Sequence, residues 1–151
     1  MKLELLQLAN ETDKVTVVIL AADVWKKLFS ENAHLAVFKE NKPKELDRIN
    51  FALLALMNDT PCGYMTCREL SETGVYVQYG GVFENAKNTI YSYSILNKCL
   101  TALGKYNFIQ MYIENSNLVM LKMAMKVGFR VVGIRNFEGS ILLEHVLNRG
   151  K

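Results

Sequence analysis

The most constraining feature of the chain is a hydrophobic period that changes twice between residues 75 and 113. Val75, Val77 and Tyr79 alternate with Tyr76 and Gln78, the two-residue period of a strand. Ile90, Tyr93, Leu96, Leu100 and Leu103 then recur at helical spacing up to Gly104. Phe108 to Ile113 follows as a continuous apolar run, suited to a strand buried on both faces. Strand, helix, strand at this length implies a right-handed crossover between parallel strands. A chain containing such a unit is committed to a sheet with helices packed on it.

The flanking segments extend that sheet. Met1 to Leu8 alternates weakly and reads as a strand, and Asn10 to Asp13 supply cap-type residues for a helix from about Asp13 to Phe29. Val15 to Leu20 is rich enough in β-branched residues that a strand stays open there. Ile49 to Met57 and Cys62 to Leu70 read as two antiparallel strands joined through the turn cluster Asn58 to Pro61, and Ser71 to Gly74 marks the next turn. Ser116 and Asn117 cap a helix ended by Gly128, after which Arg130 to Arg135 and Ile141 to Leu147 read as strands joined through Asn136 to Ser140. The expectation is an α/β fold, a mostly antiparallel mixed sheet of six or seven strands with one parallel splayed pair and about four helices.

Composition excludes several function classes. The chain has 151 residues, half of them hydrophobic, and no linker, low-complexity tract or repeat, so one domain over 1–151 is expected. Eighteen Lys and Arg against 15 Asp and Glu give a net charge of +3, too small for a dedicated nucleic-acid binder but compatible with a local anion site. Tyr91, Tyr93, Tyr106 and Tyr112 lack the basic run that base stacking would need. The longest apolar run, Val15 to Ala22, is about eight residues and too short to span a membrane. Glu4 and the lack of a small-residue cleavage site argue against a signal peptide, and the unpaired Cys62, Cys67 and Cys99 suit a reducing compartment, so the cytoplasm is expected. His145 has no second ligand at metal spacing, and no metal site is expected.

Chemistry is expected where helices begin immediately after strands, at Lys87, Asn88 and Thr89 and again at Ser116 and Asn117. Unpaired amides and the positive end of the helix dipole make the first a candidate phosphate site, with Lys87 adding a charge. Both starts fall at the carboxyl ends of strands, where ligands of such sheets gather.

The order of elements and the segment Asn117-Leu-Val-Met-Leu-Lys-Met-Ala-Met-Lys-Val-Gly128-Phe129 resemble the GNAT family of N-acetyltransferases, whose last strand-helix unit reads N-x-x-A-x-x-L-Y-x-K-x-G-F. Asn117, Lys126, Gly128 and Phe129 match in spacing, and Val82 to Ile90 corresponds to the family's pyrophosphate loop V-x-P-x-x-R-G-x-G/A. The resemblance covers roughly residues 49 to 147. It implies acetyl-CoA as co-substrate, lying where two strands splay. Gly81, Val82 and Phe83 would pair with the pantetheine amides, the amides of Lys87, Asn88, Thr89 and Ile90 would hold the pyrophosphate, and Asn117 would bond the pantetheine arm.

Two departures from the family pattern carry physical weight. Asn88 and Ile90 stand where small residues let the backbone approach phosphate; Asn tolerates positive φ and Ile does not. Ala124 stands where the family's Tyr serves as general acid for the departing thiolate. Glu69, Glu72, His34 and Tyr79 are candidate bases for an ammonium acceptor, and the sequence singles out none of them. The resemblance implies acetyl transfer from acetyl-CoA to a primary amine, on a small molecule or a protein, with a homodimer left open. The alternative, favoured by Ala124 and the missing glycines, is a catalytically inactive GNAT-like binding or assembly module.

Overall fold

The structure, a computed structural model, describes residues 3–9, 51–82 and 91–150. Along the chain these form β1 (Leu3–Ala9), β2 (Phe51–Met57), β3 (Thr60–Glu69), β4 (Gly74–Val82), α1 (Tyr91–Ala102), β5 (Phe108–Glu114), α2 (Leu118–Lys126), β6 (Arg130–Phe137) and β7 (Ser140–Asn148). The seven strands make one sheet in the order β1-β2-β3-β4-β5-β7-β6. Every neighbouring pair is antiparallel except β4 and β5, which the α1 crossover makes parallel. The sheet therefore has the strand number and the single parallel pair expected. Two of the four expected helices fall among the described residues, and the expected helix over 13–29 lies outside them.

Both tight hairpins are shorter than the turn-type residues suggest. Asn58 and Asp59, at φ 50° and 66°, alone make the β2–β3 turn, and Thr60 and Pro61 already belong to β3. Left-handed geometry at both central residues gives the turn a twist that matches the strands. Pro61 lies opposite Leu56, and Gly63 lies opposite Ala55, so Cys62 is a bulge residue beside the proline. The β6–β7 turn is Glu138 and Gly139, at φ 50° and 84°, so Asn136 and Ser140 are strand residues rather than loop.

Both helices pack on one face. α1 buries Ile95, Leu96, Cys99 and Leu100 against a core that includes Leu53, Met65, Val75, Val77, Ile109 and Met111. α2 buries Ala124, with Met120, Leu121, Met123 and Val127 packed against the same core. Asn117 caps α2, its Oδ1 accepting the Met120 amide at 3.2 Å. Gly128, at φ 104°, closes it, and the Phe129 amide returns to the Ala124 carbonyl. The Lys126 ammonium lies 4.2 Å from the centre of the Tyr93 ring and ties α2 to α1.

The two halves of the sheet, β1 to β4 and β5 to β6, are fastened at one end. At the start of β4 and β5 the Phe108 amide donates to the Thr73 carbonyl at 3.0 Å. The buried Tyr106 hydroxyl donates to Glu69, which Lys105 also meets at 3.1 Å. Just beyond β7, the Arg149 guanidinium donates to the carbonyls of Leu100, Leu103 and Tyr106, at 2.9, 2.6 and 2.7 Å. It thereby satisfies the carboxyl end of α1 and complements its dipole.

Arg149→Ala should cost about 1–3 kcal/mol, read by denaturant unfolding; unchanged stability would remove this clasp from the fold. A second outcome concerns pH. The hydrogen bond from Tyr106, then that from Lys105, hold the Glu69 carboxyl below the usual carboxylate range. A lowered folded value contributes stability above the unfolded carboxyl's range and loses it as pH falls through the folded one. The melting temperature of the wild type should therefore drop more steeply on acidification than that of Glu69→Gln.

Candidate functional site

β4 and β5 pair through only four residues, Gly74–Phe108 to Val77–Met111. Beyond that point β4 stays paired with β3 as far as Val82, and β5 stays paired with β7 as far as Glu114. The cause sits in β4. Cys67 faces Val77 and Thr66 faces Tyr79, which leaves Gln78 as an extra residue. Such a bulge bends its strand and increases the local twist, and this one falls immediately after the last β4–β5 pair.

The parting strands enclose a cleft of about 360 Å³. Along β5, Met111 and Ile113 belong to the helix-facing core, whereas Tyr112 and Glu114 alternate with them onto the opposite face. All four line the cleft, so the opening passes through the sheet. On the helix face its walls are Ile95, Leu96 and Cys99 of α1 and Val119, Met120 and Met123 of α2. On the other side of the gap run Gln78, Gly80, Gly81 and Val82. Main-chain groups of β4 that turn away from β3 beyond Val77 have no partner strand among the described residues. The site thus joins an apolar trough to an edge of peptide donors and acceptors.

Particular residues hold this shape. A Cβ on Gly81 would come within 2.9 Å of Cε1 of Tyr64, whose buried ring also borders the cleft. Glycine is therefore required for that approach. Asn117 stands at the mouth with its oxygen engaged in capping, which leaves its amide NH₂ directed to other partners. The start of α2 brings the positive end of the helix dipole to the same place. Glu114 is the single carboxylate lining the cleft among the described residues.

Of the residues expected from the sequence, Gly81, Val82 and Asn117 come together around this one cleft. Phe83, Lys87, Asn88, Thr89 and Ile90 lie outside the described residues, as does His34. Glu69 and Glu72 do not belong to the site: Glu69 faces Val75 at the start of β4, and Glu72 is an exposed turn residue beyond it. Tyr79 belongs to the part of β4 that β5 does not pair. Ala124 is fully buried and brings no hydroxyl. Burial pushes the Cys99 thiol up to about 12 and raises Cys62 and Cys67 too, so these groups act as small hydrophobes rather than nucleophiles. His145 is fully buried, its Nδ1 2.9 Å from the Leu143 carbonyl. No group of His, Cys, Asp and Glu among the described residues could hold a metal ion. No helix among them is long and apolar enough to cross a membrane.

Sequence reasoning missed Glu114, Gln78, Tyr64 and Tyr112. Glu114 left a signal, since it ends an apolar strand immediately before the Asn115–Asn117 turn. Met120 and Met123 are half-buried walls of the cleft.

Neither a family model nor a curated protein matches the chain by sequence. Solved structures do match it in shape. An acetyltransferase of Bacillus subtilis, solved in complex with CoA, has a TM-score of 0.68 at 16% identity, over 97% of this chain and 99% of that one. A GNAT family acetyltransferase of Elizabethkingia anophelis with acetyl-CoA bound has 0.61 at 18%, over 97% of each. The spermidine/spermine N-acetyltransferase of Vibrio cholerae, in mutant forms, has 0.66 at 9%, over 97% of this chain and 95% of that one. A parallel pair that parts after four residues, in a seven-strand sheet matched over nearly its whole length by these enzymes, gives the chain the GNAT acetyltransferase fold.

Proposed function

We propose that the chain is an N-acetyltransferase that moves an acetyl group from acetyl-CoA to a primary amine by direct attack across the opening between β4 and β5. The observation that carries this reading is the through-sheet cleft itself. Its helix side offers an apolar trough bordered by unpaired peptide groups, which suits a pantetheine arm made of methylenes and two amides. Its opposite side carries phenols and a carboxylate, which suit a cationic amine. The structures of like shape that hold CoA or acetyl-CoA support the same assignment.

Acetyl-CoA supplies an activated acyl group as a thioester. In this reading the free main-chain groups of Gly81 and Val82, continued by Phe83, pair with the arm. The Asn117 amide donates to it, and the amides of Lys87, Asn88, Thr89 and Ile90 receive the pyrophosphate with the Lys87 charge. Main-chain N–H groups at the opening polarise the thioester carbonyl. Glu114 holds the incoming ammonium and takes its proton, since only the free amine has a lone pair for attack. With alanine at 124, no phenol from α2 protonates the sulfur; the dipole at the start of α2 stabilises the departing thiolate instead. The chain is expected to work without a metal and in the cytoplasm.

Buried Ala124 favours a second reading, a GNAT-like module that binds without catalysis. Two measurements separate the readings. Acetyl-CoA at about one hundred times its dissociation constant should stabilise the fold by about 2.7 kcal/mol, several degrees in Tm. An inert melting temperature would end the acetyl-CoA assignment, and binding without thiol release across a panel of primary amines would favour the module.

Two variants test named residues. Asn117→Ser keeps a capping oxygen and deletes the amide donors. It should leave stability nearly unchanged and weaken CoA about fivefold to tenfold; equal affinities would take Asn117 out of the site. Glu114→Gln should slow thiol release at pH 7 by about tenfold or more, with the deficit narrowing as pH rises towards about 10, where an alkylamine deprotonates unaided. A deficit independent of pH would contradict proton removal by Glu114.

A further inference from the structure

Gln78 is the first residue of β4 beyond its last pair with β5, it forms the bulge where the strands part, and it is among the residues that line the cleft. Its Oε1 is buried and meets no hydrogen-bond donor among the described residues. A shielded carbonyl oxygen without a donor is a standing cost to the free protein, and native folds retain few of them. The other such atom among the described residues, Nε2 of His145, belongs to a residue that does not line the cleft and whose Nδ1 is already bonded.

The apolar residues that line the cleft together with Gln78 cannot satisfy that oxygen. Val77, Ile95, Leu96 and Met111 carry no side-chain donor. A ligand N–H that takes the place β5 leaves beside β4 would supply the donor. In the reading proposed above, on which this inference rests, that place belongs to the pantetheine arm, whose two secondary amides bring N–H groups. We infer that the Gln78 side-chain carbonyl is a binding group for the arm of acetyl-CoA, turning about its terminal torsion to accept an amide N–H. Gln78 then does two things for one ligand: its backbone opens the sheet and its side chain recognises what enters. A ligand with the same nucleotide end and no amide arm gains nothing from it.

The test uses Gln78→Met, which keeps the unbranched length and deletes the carbonyl. Calorimetric titration of the full chain with CoA should show affinity about fivefold to tenfold weaker than wild type. Titration with 3′-phospho-ADP, which has the nucleotide end with its pyrophosphate and lacks the arm, should show no change. The free variant should melt no lower than wild type, because an unpaired buried acceptor has been removed; a merely structural glutamine would lower it. Unchanged CoA affinity, or equal losses for CoA and 3′-phospho-ADP, overturns the assignment of Gln78. Wild type that binds neither compound overturns the acetyl-CoA reading, and this inference with it.

Discussion

Four residue pairs between β4 and β5 hold the two halves of the sheet together, and everything of chemical interest follows from their stopping at Val77 and Met111. A parallel ladder saturates the peptide groups on both strands. Ending it midway, while each strand stays paired on its outer side, exposes peptide groups without unfolding anything. The extra residue at Gln78 makes the end abrupt, since a bulge turns the strand where it occurs. At the other end, Arg149 and the Tyr106–Glu69–Lys105 cluster fasten the halves through α1 and its following turn. One end closed by charge-assisted bonds and one end open is a wedge, and the wedge is the site.

The wedge also sorts chemistry by face. Alternation along β5 sends Met111 and Ile113 to the helices and Tyr112 and Glu114 to the other side, so one strand presents an apolar wall and a polar one to the same opening. Reactants of opposite character can enter from opposite faces and meet at the gap. In the proposed transfer the amine attacks directly, without a cysteine intermediate, because burial pushes the Cys99 thiol, the one that lines the cleft, up to about 12. Among the described residues the charge at the opening is one carboxylate, Glu114, and a helix dipole, and each has a distinct place in the proposed transfer.

Much of the fold is legible in the sequence because periodicity reports burial. The crossover from Val75 through Leu103 to Ile113 is visible as a change of period, and Asn117 and Gly128 bracket α2 by cap chemistry alone. The hairpin bounds are not legible, since Pro61, Asn136 and Ser140 are turn-type residues that the ladder recruits into strands. The bulge at Gln78 is also hidden: one extra residue leaves the alternation of Val75, Val77 and Tyr79 intact on paper. Only the pairing of Thr66 with Tyr79 reveals it. Glu69 and Glu72 are carboxylates near a turn, yet that turn lies at the fastened end. Glu114, at the open end, shows in sequence only as the charged residue that ends an apolar strand before a turn.

Hydrogen exchange at the β4 amides tests the open ladder most directly. Alternate amides between residues 78 and 82, those facing away from β3, should exchange fast in the free protein and slow on addition of CoA, while the amides of Val75 to Val77 stay protected throughout. Protection across residues 78–82 in the free protein, or exchange there that CoA leaves unchanged, would contradict a gap made to receive it.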